Sequence, residues 1–158
     1  GLKVIQKKYV MGNKLKNYFV NKYYCPDIPY NFSKHLFNFA NTSIDISDGL
    51  ISDMVRLINS QKLSFSIDVD KIPISKKLNN YLKKYNKPKN KLVFNGDDYQ
   101  ILFTSSKRNR LRIRTIANKL NQKVTIIGKI NDGYKKNLLK EGNKSLKLSN
   151  FKGYSHKF

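Results

Sequence analysis

Ile44-Asp45-Ile46-Ser47-Asp48-Gly49-Leu50 decides how the rest of the chain is read. Two carboxylates and a hydroxyl sit on a short turn. Before it runs the β-branched stretch Thr42 to Ile46. After it Leu50, Ile51, Met54, Val55 and Ile58 recur at the spacing of one helix face, with Ser52, Asp53, Arg56 and Asn59 opposite. A strand that turns directly into a helix leaves the first helical N–H groups free to bind phosphate. Carboxylates beside them can hold a hard cation such as magnesium, which takes oxygen ligands and bridges to phosphate. Alone, the turn is also what an ordinary helix cap followed by an Asp-Gly turn would look like.

A second acidic turn shifts the balance. Asn95-Gly96-Asp97-Asp98-Tyr99-Gln100 leads into the apolar, β-prone Ile101-Leu102-Phe103-Thr104. Adjacent carboxylates repel, and the chain has only 10 acids against 32 Lys and Arg. Two acids side by side in so basic a chain point to a cation or polar ligand that they serve.

Between and around these turns the pattern alternates strands and helices without a uniform βα rhythm. Val4–Tyr24 reads as a helix broken near Gly12-Asn13, and 26–29 as a Pro-punctuated turn. Phe32–Phe39 reads as a short helix with Leu36, Phe37 and Phe39 inward. Ser43–Asp45 is an expected strand and Gly49–Ser60 an expected helix. Ser64–Val69 alternates, with Phe65, Ile67 and Val69 on one face and Ser64, Ser66 and Asp68 on the other. Ser75 caps an expected helix to Tyr85, an exposed loop follows at 87–90, and Tyr99–Thr104 is an expected strand. Lys107–Asn121 is an expected helix with Leu111, Ile113, Ile116, Ala117 and Leu120 inward. Val124–Ile130 is an expected strand, 131–133 a turn, and the remainder a weak hairpin and tail. The fold class is α+β, a mixed sheet flanked by helices.

Four segments, in order, resemble thiamine-monophosphate kinases. Thr42–Ile58 resembles their (A/S)-x-I-D-x-S-D-G-L-x-x-D-L. Asn95–Thr104 resembles G-G-E-D-Y-E-L-L-F-T, Val124–Ile130 a late I-G-x-I strand, and Gly153–Phe158 a terminal G-Y-D-H-F. Asn95 stands for the first Gly, Asp97 for Glu, Gln100 for the second Glu and Ser155 for Asp, and Lys157 is inserted. The resemblance implies the C-terminal domain of the superfamily that includes aminoimidazole ribonucleotide synthetase. It implies transfer of the γ-phosphoryl group of ATP to thiamine monophosphate, giving thiamine diphosphate. By position it makes Asp45 and Asp48 magnesium ligands, Ser47 a contact to ATP phosphate, and Asp97 and Tyr154 contacts to thiamine monophosphate. Asp53 is expected to be solvated on the helix surface, and Asp98 to bond its own turn.

The opening Gly1-Leu2 resembles the end of a Gly-rich segment of that family. Residues 1–158 are therefore expected to be one C-terminal domain of a longer, homodimeric enzyme, with an N-terminal ATP-binding domain outside this chain. No run approaches the length of a membrane span, and no apolar signal segment opens the chain. The lone Cys25 has no internal disulfide partner, which fits a reducing, cytoplasmic setting. A net charge of +22 would ordinarily suggest nucleic acid. Arginine, the preferred reader of bases and phosphates, is confined to Arg56, Arg108, Arg110, Arg112 and Arg114, so no specific nucleic-acid partner is expected. The competing functions are another ATP-dependent enzyme of the same superfamily and a basic nucleic-acid-binding module; the second gives the acidic turns no purpose.

Overall fold

The computed structural model describes residues 1–58, 61–133, 136–146 and 148. The expected α+β architecture is present, as two sheets flanked by helices. The smaller is an antiparallel ribbon of β1 (Thr42–Asp45) and β3 (Ile101–Thr104), in register Asp45↔Ile101 and Thr42↔Thr104. The larger has four strands, β2 (Leu63–Asp68), β4 (Gly128–Asp132), β5 (Leu138–Glu141) and β6 (Lys144–Leu146). Their order across the sheet is β4-β2-β5-β6. β2 pairs antiparallel with β4 and parallel with β5, and β5 and β6 form the expected terminal hairpin.

β2 lies between two strands, and its whole middle is buried. Phe65 and Ile67 enter the main core, and Ser64 and Ser66 on the opposite face are buried as well. Alternation placed the two faces; that the second is covered follows from β2's central place in the sheet. The main core adds α4 (Leu50–Leu57), Val69, Val93, Leu102 and Leu139. A second cluster gathers Phe32, Phe39 and Ala117 with Ile101, Phe103, Ile113 and Ile116. The ribbon thus divides its side chains between two cores: Ile44 and Leu102 face the first, Ile101 and Phe103 the second.

Several elements are shorter than the sequence pattern suggests, for identifiable reasons. The expected first helix becomes α1 (Leu2–Ile5) and α2 (Asn13–Tyr24), separated where Lys7 takes φ 57°. The 32–39 segment divides into α3 (Tyr30–Ser33) and a 3-10 turn at Leu36–Asn38, and this rotates Phe37 outward to 85% exposure. β4 begins only at Gly128, opposite Ile67; Asp68 N–H still donates to Ile127 O at 2.8 Å, and beyond Asp68 the partner β2 passes into a 3-10 turn at Val69–Lys71. α5 (Lys76–Lys84) is capped by Ser75 Oγ, which accepts from Leu78 N–H at 3.2 Å, as expected. The loop expected at 87–90 is shorter, because Lys89 and Asn90 open a 3-10 helix at Lys89–Phe94. α6 (Arg110–Lys119) buries Ala117 but leaves Leu111 exposed, because a 3-10 turn at Lys107–Asn109 precedes the α-helical turns.

Candidate functional site

The two acidic turns are joined through their backbones. Ile46 N–H donates to Gln100 O at 2.8 Å, Tyr99 N–H to Ile46 O at 2.9 Å, and Asp97 N–H to Ser47 O at 2.9 Å. The β1–β3 ladder therefore continues beyond the strands and sets the Ser47-Asp48 turn against the Gly96-Asp97 turn. Glycine permits this approach. A Cβ on Gly96 would lie 1.9 Å from the Ser47 carbonyl oxygen. Gly49 takes φ 119°, a region that side chains rarely adopt, and passes close over the Phe94 backbone. On the other side of the contact, Asp97 and Tyr99 hold left-handed backbones at φ 64° and 50°. For an aromatic residue this is costly, and it persists only where the surroundings impose it.

Asp53 departs most from the sequence reading. It is fully buried, not solvated. Its Oδ2 accepts from the N–H groups of Ser47 at 3.0 Å, Asp48 at 3.1 Å and Gly49 at 3.1 Å. The turn amides that lead into α4, up to its N-cap Gly49, are thus already bonded to a carboxylate of the chain, whereas the first helical N–H groups, from Leu50 on, are not among its donors. The Arg56 guanidinium links the group outward, donating to Asp53 Oδ1 at 3.3 Å and pairing with Asp48. A residue that pairs with Asp48 was expected on the solvent face. The Asp48 hydrogen bond, first, and its charge raise the Arg56 guanidinium pKa still further. Val55, counted with the apolar face, is exposed, and Leu57 takes its place in the core.

Ser47, Asp48 and Asp97 are half-buried and line one broad open cleft of about 2590 Å³, together with Lys3, Tyr23, Asp98 and Tyr99. Lys3 Nζ donates to Asn95 Oδ1 at 2.6 Å, and Gln100 Nε2 to Asp27 O at 2.8 Å, so α1 and the Pro-flanked turn brace the acidic loop. Burial, then the Asp97 and Tyr99 charges, raise the Tyr23 phenol pKa. Asp98 was expected to bond its own turn; among the described residues its carboxylate accepts no such bond. The Asp98 carboxyl is pushed up to about 6, mainly because the crowded cleft strips water from the charged form, with Asp97 adding repulsion and the chain's N-terminus opposing. The Asp98 residue is nevertheless exposed to solvent, which screens the charge and weakens the effect of the shift on stability.

Asp45 stands apart. It is exposed at the end of β1, across from Ile101, and is not among the residues lining the cleft. Tyr154 and the terminal Gly-Tyr-x-His stretch lie outside the described residues. Among the described residues no group of three or more His, Cys, Asp or Glu gathers as a metal cage. One or two carboxylates beside a hydroxyl suit magnesium better than calcium, since magnesium keeps several waters and takes its remaining ligands from substrate phosphates. On that test the cleft donors Ser47, Asp48 and Asp97 fit, and Asp45, outside the lining, is not among them.

A ribbon and a mixed sheet flanked by helices, with two glycine-containing acidic turns joined through their backbones, define an α+β domain. The chain belongs to the family described as AIR synthase related protein, C-terminal domain, whose model matches residues 41–140 and so takes in both turns. It is 37% identical over 136 residues to thiamine-monophosphate kinase of Buchnera aphidicola subsp. Schizaphis graminum, covering 85% of this chain and 42% of that protein. Thiamine-monophosphate kinase of Aquifex aeolicus is 37% identical over 89 residues, 56% of this chain and 29% of that one. The chain therefore spans less than half the length of the curated relatives it matches. Among solved structures, AaThiL complexed with AMPPCP and TMP superposes with a TM-score of 0.73 at 26% identity, over 99% of this chain and 46% of that one. The crystal structure of thiamine monophosphate kinase from Aquifex aeolicus gives 0.69 at 26% identity, over 92% and 46%.

Proposed function

We propose that this chain is the acidic-turn portion of a kinase that moves the γ-phosphoryl group of ATP onto thiamine monophosphate. One observation carries the reading: the backbone contact that sets Ser47 and Asp48 beside Asp97 on one cleft wall. The relatives named for this activity, and the neighbour solved with AMPPCP and TMP, support it.

The nucleophile is a phosphate oxygen that is already anionic, so no general base is required. That oxygen bonds to the γ-phosphorus as the bond to the β–γ bridging oxygen breaks, and the electron pair leaves with ADP. What remains is to position two mutually repelling anions. Ser47 offers its hydroxyl to the nucleotide phosphate. Asp97 and, in the tail, Tyr154 meet the thiamine side, whose cationic ring can stack on an aromatic face. Asp45 and Asp48 are the residues that would hold magnesium, which supplies charge neutralisation between the phosphates. Asp45 would serve from outside the cleft lining, Asp48 from within it. The remaining contacts to ATP, and a dimer interface, would come from the part of the relatives' length that this chain does not match. No helix among the described residues is long and apolar enough to cross a membrane, and a reducing cytoplasm is the proposed setting.

The test is a phosphoryl-transfer assay on the full-length gene product with Mg-ATP and thiamine monophosphate, beside an Asp48→Asn variant. Thiamine diphosphate from the parent, with a loss on the order of 100-fold in the variant, supports the reading. A folded parent that makes no product overturns it.

A further inference from the structure

The Ser47–Gly49 amides converge on one point, as backbone N–H groups do where a protein binds an anion. Asp53 Oδ2 occupies that point, with three donors at 3.0–3.1 Å. The side chain is at 0% exposure. Its second oxygen receives Arg56 Nη1, which also pairs with Asp48. We propose that Asp53 is a positioning residue whose carboxylate stands in for a bound anion, holding the Ser47-Asp48 turn in its working shape before substrate arrives. An incoming phosphate is then met by side chains, the Ser47 hydroxyl first, and not by the turn amides. Through Arg56 the same carboxylate also fixes where the Asp48 side chain lies.

Helix geometry makes the assignment reasonable. Gly49 is the N-cap of α4, so Asp53 is the fourth residue of the helix and reaches back over the first turn. A capping-box carboxylate does the same from one residue earlier, for a single N–H group. Here one oxygen serves three, and burial removes water as a competitor. The fit to phosphoryl transfer rests on the function proposed above; the anion-mimic role does not.

The experiment therefore reads the turn directly. Amide resonances of Ser47, Asp48 and Gly49 are followed by 1H–15N NMR in the full-length protein and in Asp53→Ala, as sodium formate and, separately, inorganic phosphate are added. Asp53→Ala leaves a hole of carboxylate size next to three unpaired donors. The expected result is formate uptake at least about tenfold tighter than in the parent, with these three resonances moving back toward their parent positions. A folded Asp53→Ala variant that shows no anion-dependent shift there overturns the proposal. Where Asp53→Ala does not fold, Asp53→Asn, of the same shape, carries the test. Unchanged turn amides in that variant overturn the proposal, and an upfield loss of their hydrogen-bonded shifts supports it. A parent that fails the kinase assay yet shows these responses would remove the substrate assignment and leave the positioning role standing.

Discussion

The two acidic turns touch, yet they are held in opposite ways. Around Ser47-Asp48 every charge is answered: Asp53 takes three amides, and Arg56 joins Asp53 to Asp48. Around Asp97-Asp98 the backbone is bent into the left-handed region at two non-glycine residues, and the Asp98 carboxyl sits well above its ordinary value. One turn is prepaid with an internal counter-charge. The other holds a strained backbone and a carboxyl whose charged form is poorly hydrated, which a cationic ligand would favour. A site that must bring two anions together is well served by this division, with a fixed platform and an adjustable partner.

The largest effect is expected where the turns meet. Gly96→Ala puts a methyl group 1.9 Å from the Ser47 carbonyl oxygen, which no side-chain motion can relieve because the obstacle is backbone. A loss of at least about 3 kcal/mol is expected in urea unfolding. If the variant unfolds at the parent's midpoint, the turns are not locked together and the comparison fails.

Much of this was legible in the chain and some was not. Both Gly-containing acidic turns, the strands beside them, the Ser75 cap and the terminal hairpin follow from local chemistry that the rest of the fold leaves undisturbed. Asp53 was illegible because a helical wheel assigns a carboxylate to solvent. Its burial depends on three amides that gather only once the turn has formed. A carboxylate four residues past a turn glycine was the available signal. Val124 to Ile127 looked like strand because they are β-branched, but a strand needs a partner, and β2 ends at Asp68, one residue past its pairing of Ile67 with Gly128. Phe37 and Leu111 were placed inward by α-helical spacing; 3-10 turns at or just before them change the angle.

An intermediate effect is expected at Arg56. Its side chain is half exposed, so Arg56→Met should cost no more than about 1 kcal/mol by chemical denaturation. The same change frees Asp48 of its counter-ion. Manganese, a spectroscopic substitute for magnesium, should then bind severalfold more tightly in the variant when titrated by electron paramagnetic resonance. Unchanged affinity would mean that Asp48 is not a metal ligand, and the platform would lose its proposed purpose.

Asp98 gives a smaller effect with a definite sign. Its carboxyl rises from 3.8 to about 6 on folding, so between those values the folded chain holds more protons than the unfolded one. Stability is then undiminished below about pH 4 and falls as pH climbs through 6. Asp98→Asn removes the penalty. It should stabilise the protein at pH 7 by up to about 1 kcal/mol, after discounting for solvent contact. The gain should vanish near pH 4. A gain that is flat with pH would trace to something other than the Asp98 charge.

The smallest effect bears most directly on strain. Tyr99 at φ 50° pays for a backbone that glycine adopts freely. Tyr99→Gly also loses what the ring contributes, but Tyr99 is exposed, so little packing goes with it. The relief from strain and the extra unfolded-state entropy of glycine oppose each other, leaving a net change within about 0.5 kcal/mol. Asp97→Asn should be equally quiet in stability, since asparagine tolerates the left-handed region at least as well as aspartate. In the kinase assay the two should separate. Asp97→Asn removes a charge from the thiamine side and should raise KM for thiamine monophosphate by roughly tenfold, with a smaller change in kcat. Tyr99→Gly loosens the loop that aims the carboxylate and should lower kcat. If both variants were instead strongly destabilised, the second turn would be as tightly satisfied as the first, and the contrast between platform and partner would not hold.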